Sequence, residues 1–126
     1  MNDEITLTLP RQRRYYDVAH LVVGGLAARL DLTVDTLSDL QTALDGLLPR
    51  ESADGEVTVV LRIQGESLAG RIGPFDAAAL RHELENGGEY GTKVVLETVF
   101  ESYRIDGDGD GAWVDFAMPL QAGSDR

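Results

Sequence analysis

The stretch EVTVVLRIQGESLAGRI, residues 56–72, constrains the fold more than any other part of this chain. Two runs rich in β-branched and aliphatic residues flank a three-residue connection, QGE, whose Gly65 suits a tight turn, so the segment reads as a β-hairpin. A hairpin needs a layer against which to bury one face, and helical patterns stand on both sides of it in the sequence.

Upstream, EITLTL (4–9) alternates with Ile5, Leu7 and Leu9 on one side, a half-buried strand closed by Pro10. A long helix follows, with Tyr15, Val18, Ala19, Val22, Leu26 and Leu30 on its stripe. Leu21 and Val23 lie off that stripe, which predicts a helix covered on more than one side. Gly24 and Gly25, unfavourable by about 1 kcal/mol each in a helix interior, predict close approach of a neighbouring backbone. A second helix opens at Thr33, a good N-cap, with Asp35 in its first turn and Leu37, Leu40, Leu44 and Leu47 or Leu48 toward the core. Its opposite face carries Asp35, Ser38, Thr42, Asp45 and Pro49, and Pro49 marks its end.

Downstream of the hairpin, Asp76 caps a short helix, with Phe75 and Leu80 spaced as a hydrophobic staple and Asn86 or Gly87 at a left-handed C-terminal position. A further helix over 90–101 carries Tyr90, Val94, Val95 and Val99. SYRI and AWVDFAM then frame a last hairpin. The order β-α-α-β-β-α-α-β-β predicts an α+β two-layer sandwich: a mostly antiparallel, mixed sheet with helices on one face, forming a single domain over residues 1–126.

The connection of that last hairpin, RIDGDGDGAW, resembles the opening of a calcium loop, with Asp106, Asp108 and Asp110 at alternate positions before Gly111. A complete loop needs a bidentate Glu at its twelfth position, which is Ala117, and an exiting helix where Trp113, Phe116 and Met118 form a strand pattern. Asp-Gly repeats are turn chemistry, so the segment is read as a turn, with no metal site.

Composition removes several classes of function. Among 126 residues there is no cysteine, which excludes thiolate chemistry, disulfides and cysteine zinc sites. A formal net charge of −11 repels a phosphate backbone and disfavours nucleic-acid binding. No apolar run reaches membrane-spanning length and the N-terminus does not read as a signal peptide, so a cytoplasmic chain is expected. The basic cluster Arg11, Arg13 and Arg14 reads as a solvated helix start. His20 in the first helix and His82 in the third read as structural or solvent-facing, and Ser38 has no base partner or glycine-flanked elbow.

The segment YYDVAHLVVGGLAARLDLTVDTLSDLQTALDGLL, with the order of elements after it, resembles the bacterial anti-sigma factor serine kinases. These belong to the ATPase superfamily of Hsp90, gyrase and histidine kinases, so the resemblance implies a histidine-kinase-like ATPase fold. It also implies an ATP site built from three boxes. The first, a general-base Glu and a magnesium-holding Asn one turn apart, falls on Asp45 and Pro49; Asp45 keeps a carboxylate and Pro49 offers no ligand. The second, an Asp-x-Gly-x-Gly turn, keeps Gly73 without an acid before it. The third, a glycine-rich helix start, survives as Gly88 and Gly91.

No cofactor is therefore expected. The resemblance leads to a regulatory protein-binding domain, a degenerate anti-sigma factor whose partner is a sigma factor or an anti-anti-sigma factor, and to a homodimer. The first strand, at a sheet edge, and Leu21 and Val23 of the first helix are the expected dimer surfaces. Two alternatives remain open: a divergent ATP-dependent serine kinase using Mg-ATP, and a plain dimerisation module.

Overall fold

The computed structural model describes residues 4–30, 32–48, 55–87, 91–108 and 111–119. The elements follow the expected order: β1 (Glu4–Pro10), a 3₁₀ turn (Arg13–Tyr15), α1 (Tyr16–Leu30), α2 (Val34–Leu47), β2 (Glu56–Gln64), β3 (Ser67–Phe75), α3 (Ala77–Asn86), α4 (Thr92–Val99), β4 (Ser102–Asp108) and β5 (Gly111–Pro119). The five strands form one sheet in the order β1-β2-β3-β5-β4, and every pairing is antiparallel. β1 and β4 are its edges.

Local chemistry explains most boundaries. Thr33 Oγ1 accepts from the Thr36 backbone N–H at 3.1 Å, and Asp76 Oδ1 accepts from the Ala79 N–H at 3.0 Å, so both predicted N-caps form. Phe75 and Leu80, the predicted staple, are both buried. Gln64 pairs with Ser67 across a two-residue turn, and Gly65 takes φ +60, which the primed hairpin turns require. The left-handed end expected for α3 does not form at Gly87, whose φ is −74; Asn86 instead folds back, its amide nitrogen donating to the His82 carbonyl at 3.0 Å.

Register places Val57, Val59 and Leu61 of β2, Leu68 and Ile72 of β3, and Val114, Phe116 and Met118 of β5 on one buried face. The helices cover that face through Ala19, Val23 and Leu26 of α1, Leu40, Leu44 and Leu47 of α2, Leu80 of α3 and Leu96 of α4. Two sequence expectations are corrected here. Val23 belongs to the core stripe of α1, spaced by three and four with Ala19, Leu26 and Ala27, whereas Val18 is exposed, and so is Leu21. In α4, Leu96 and not Val94 carries the burial, and Phe100, just beyond, stacks on Phe116 at a centroid distance of 4.1 Å. Tyr90 and Pro49 lie outside the described residues.

The Phe116 ring also occupies the space a side chain at Gly70 would need, which fixes glycine there for packing. Leu7 on edge strand β1 is half-buried against the core, so that edge offers its backbone and its outward threonines, and not Leu7, to the surroundings.

Candidate functional site

The three segments in which the sequence placed nucleotide boxes lie at the end of α2, the end of β3 and the start of α4. The last turn of α2 holds Asp45 on its exposed flank, where Asp45 Oδ1 lies 2.8 Å from His20 Nε2 of α1. The neighbouring position on α2, Gly46, is the one directed toward α4, with Val95 Cγ1 3.9 Å from where its Cβ would stand. The carboxylate of the first box is thus turned toward α1, away from the helix that bears the third box.

Gly73 sits on the outer face of the sheet. A Cβ there would stand 2.8 Å from Trp113 Cδ2 and 2.9 Å from the Ala112 carbonyl, so glycine allows the indole to lie flat on β3. Registering an Asp-x-Gly-x-Gly turn on Gly73 puts the acid position at Arg71 and the second glycine at Phe75. Arg71 also points outward. Its guanidinium lies 4.8 Å from the Trp113 ring centroid and reaches Asp115 Oδ1 at 3.0 Å and Asp106 Oδ2 at 3.2 Å. Arg104 reaches Asp115 Oδ2 at 3.5 Å, which completes an exposed ion-pair network on the outer face. Asp106, one of the three turn acids, is therefore engaged by Arg71; Asp110 lies outside the described residues.

Phe75 points the other way and is fully buried. Arg11 lies over its ring at 5.1 Å from the centroid. The same guanidinium donates through Nη1 to the Leu48 carbonyl at 2.6 Å, the C-terminal cap of α2, and through Nη2 to the Pro74 carbonyl at 3.2 Å. A cation at a helix C-terminus meets the negative end of the helix dipole. The reading of Arg11 as a solvated residue is thereby corrected: it clasps the end of α2 to the end of β3, with Phe75 filling the space beneath. Long-range partners 37 and 63 residues away leave no local signal that could have revealed this.

Gly91 is the N-cap of α4 and contributes no side-chain cap. A Cβ on it would stand 2.7 Å from the Gly87 Cα, so its lack of a side chain lets the ends of α3 and α4 meet. Gly88 lies outside the described residues. His82 is exposed, its Nδ1 3.2 Å from Asn86 Nδ2. Ser38 is exposed on α2, where its backbone carbonyl accepts from Thr42 Oγ1 at 2.9 Å.

The described residues of the three boxes bring Asp45 as their one carboxylate, and it is turned away from the other two boxes. At the end of β3, Phe75 is buried and the Arg11 guanidinium lies over its ring. Among the described residues no group of three His, Asp or Glu side chains converges on a common point. A cleft of about 440 Å³ does open elsewhere, between α3 and β4, lined by Ala77, Arg81, Leu84, Ile105, Gly107 and Ala112. Beside its strand, Tyr103 Oη donates to Glu97 Oε2 at 3.5 Å, and burial, reinforced by the Glu97 charge and that hydrogen bond, pushes the phenol pKa up. No helix among the described residues is long and apolar enough to cross a membrane.

Comparison with known proteins agrees with the resemblance read from the helix pair. No family model matches the chain. It is 27% identical over 95 residues to the serine-protein kinase RsbW of Listeria innocua, covering 67% of this chain and 60% of that protein. The serine-protein kinase RsbW of Listeria monocytogenes serovar 1/2a matches to the same extent. The chain thus spans about 60% of the length of the curated relatives it matches. Among solved structures, that of the RsbU and RsbW domains of Rv1364c from Mycobacterium tuberculosis superimposes with a TM-score of 0.70 at 12% identity, over 95% of this chain and 34% of that one. The chain is similar in sequence to RsbW serine-protein kinases, and its α+β fold is found in that mycobacterial structure.

Proposed function

We propose that this chain is a regulatory protein-binding domain of the anti-sigma-factor type, acting by exchange between protein partners and without ATP hydrolysis or kinase activity. The observation that carries this reading is the Arg11–Phe75 plug. The resemblance to serine kinases places one nucleotide box at the end of α2 and another at the end of β3. Here those two ends hold a buried ring and a guanidinium bonded to two backbone carbonyls. Pro49 at the metal-holding position and the lack of an acid before Gly73 support the same conclusion from the sequence.

The partner is a sigma factor or an anti-anti-sigma factor. Sigma factors present basic DNA-binding surfaces, and a net charge of −11 complements them. The second reading, a divergent serine kinase, is favoured by the similarity to proteins named as serine-protein kinases.

Thermal melting with and without Mg-ATP separates the two. A nucleotide present at a hundred times its Kd would add about 2.7 kcal/mol of stability. The regulatory reading expects no shift at millimolar Mg-ATP, together with capture of a sigma factor or anti-anti-sigma factor of the native host. Saturable micromolar binding by calorimetry, with transfer of labelled phosphate to a captured partner, would establish the kinase instead.

A further inference from the structure

None of the described residues that line the cleft between α3 and β4 belongs to the three boxes or to the Arg11–Phe75 contact. Its helical wall is Ala77, Arg81 and Leu84, spaced by four and three on one side of α3. Those positions span roughly 10 Å, seven residues at about 1.5 Å each. Ile105 and Gly107 of β4 stand opposite, and Ala112 of β5 is buried beneath. The hollow exists because Ala77, Gly107 and Ala112 are small. Position 107 admits no side chain, since a Cβ there would stand 2.6 Å from the Ala112 Cα.

Ile105 is out of place on the inner side of the sheet. Register pairs it with Val114, which is fully buried, and Tyr103, two residues back, packs against the core. Ile105 is nevertheless 37% exposed. The helical layer thus runs out over β4 and leaves an aliphatic wall open, which an apolar group entering the cleft would cover. Arg81 supplies a polar end. It is the one charged side chain among the described lining residues, and it makes no ion pair among the described residues. Nearby acids are engaged elsewhere: Asp106 by Arg71 on the outer face, and Glu97 by the Tyr103 hydroxyl.

We propose that this cleft binds a small carboxylate with an unbranched apolar tail. The carboxylate meets the Arg81 guanidinium, and the tail lies between Leu84 and Ile105 over Ala112. A volume of about 440 Å³ falls within the range of small-molecule sites, about 300–1,000 Å³, which are mostly apolar with a few polar groups that fix orientation. Charge complementarity selects the headgroup. A guanidinium offers a planar fork that a carboxylate accepts through two parallel hydrogen bonds, whereas an ammonium is repelled. The site is separate from partner binding and does not rest on that reading.

Calorimetry of the full chain with octanoate tests this, with hexanoate, acetate and octylammonium as comparisons. Octanoate is expected to bind saturably at one site, and hexanoate about tenfold more weakly, because each buried methylene is worth about fourfold. Acetate and octylammonium should not bind. Arg81→Gln should weaken octanoate by about fivefold, the upper value for an exposed ion pair. Ala77→Leu fills the hollow and should abolish binding while leaving the melting temperature of the free protein unchanged, because leucine is nearly as good a helix former as alanine. Should that variant melt early, Ile105→Thr, which keeps a strand-forming residue and shortens the apolar wall, decides instead and is expected to weaken binding. No saturable binding of octanoate at millimolar concentration overturns the proposal and leaves the cleft to a protein side chain. Equal binding of octylammonium, or octanoate binding that Arg81→Gln and the cleft variants leave unchanged, overturns it as well.

Discussion

His20 of α1 and Asp45 of α2 meet at 2.8 Å on the surface of the helix pair, and the carboxylate is 70% exposed. The one acid in the described residues of the three boxes is thus spent on an interhelical contact in contact with solvent. Exposed pairs of this kind contribute about 0–1 kcal/mol. Asp45→Ala is expected to lower stability in urea melts by no more than that, and to leave partner capture unchanged. A loss of partner binding without a loss of stability would give Asp45 a functional role that its geometry does not suggest.

Arg11 should matter far more than its position in a basic cluster suggests. Hydrogen bonds to charged groups contribute about 1.5–3 kcal/mol, and Arg11 donates to the Leu48 and Pro74 carbonyls while lying over Phe75. Arg11→Ala is expected to cost about 2–3 kcal/mol by chemical denaturation. Arg11→Lys should recover only part, because an ammonium lacks the planar fork that spans two carbonyls. Arg13→Ala, on an exposed residue, serves as the control.

Gly70→Ala is expected to destabilise by about 1–3 kcal/mol, the range for overpacking, because a methyl group there meets the Phe116 ring. Phe116 is itself stacked on Phe100 and has little room to yield. A double substitution, Gly70→Ala with Phe116→Leu, should cost less than the sum of the two single changes, which equilibrium unfolding would reveal.

Calcium at millimolar concentration should leave the melting temperature unchanged. Asp106 is held by Arg71, and position 117 is an alanine on a strand. A rise of several degrees that a chelator reverses would require the acids of the RIDGDGDGAW turn to bind the ion together.

Tyr103 gives the pH dependence that the structure supports. Burial first, then the Glu97 charge and hydrogen bond, favour its neutral form in the folded protein and raise its pKa above the ordinary value of about 10. A pKa raised on folding contributes stability that is fully present below the unfolded pKa and lost as pH rises through the folded value. Ultraviolet titration of the phenolate should therefore show one tyrosine ionising late, and Tyr103→Phe should remove that step. If the late step persists in the variant, another tyrosine carries it.

The sequence by itself determined the order of elements, both N-caps at Thr33 and Asp76, the Gly65 turn and the resemblance to the serine kinases. Each of these depends on residues within a few positions of one another, where periodicity and backbone preference act directly. Tertiary structure decided the rest. Which side of α1 is buried turned on packing against the sheet, so Val23 went inward and Val18 outward although the sequence pattern placed Val18 on the stripe and Val23 off it. Leu96 became the core residue of α4 because Phe100 and the strands beneath it define that helix's inner face. At Gly73 and Gly91, which the resemblance places in nucleotide boxes, only the fold shows what a side chain would meet: the Trp113 indole at one and the Gly87 backbone at the other. Arg11 was the least legible residue of all. Its carbonyl partners lie 37 and 63 positions along the chain, and only folding brings the end of α2 and the end of β3 within reach of one guanidinium.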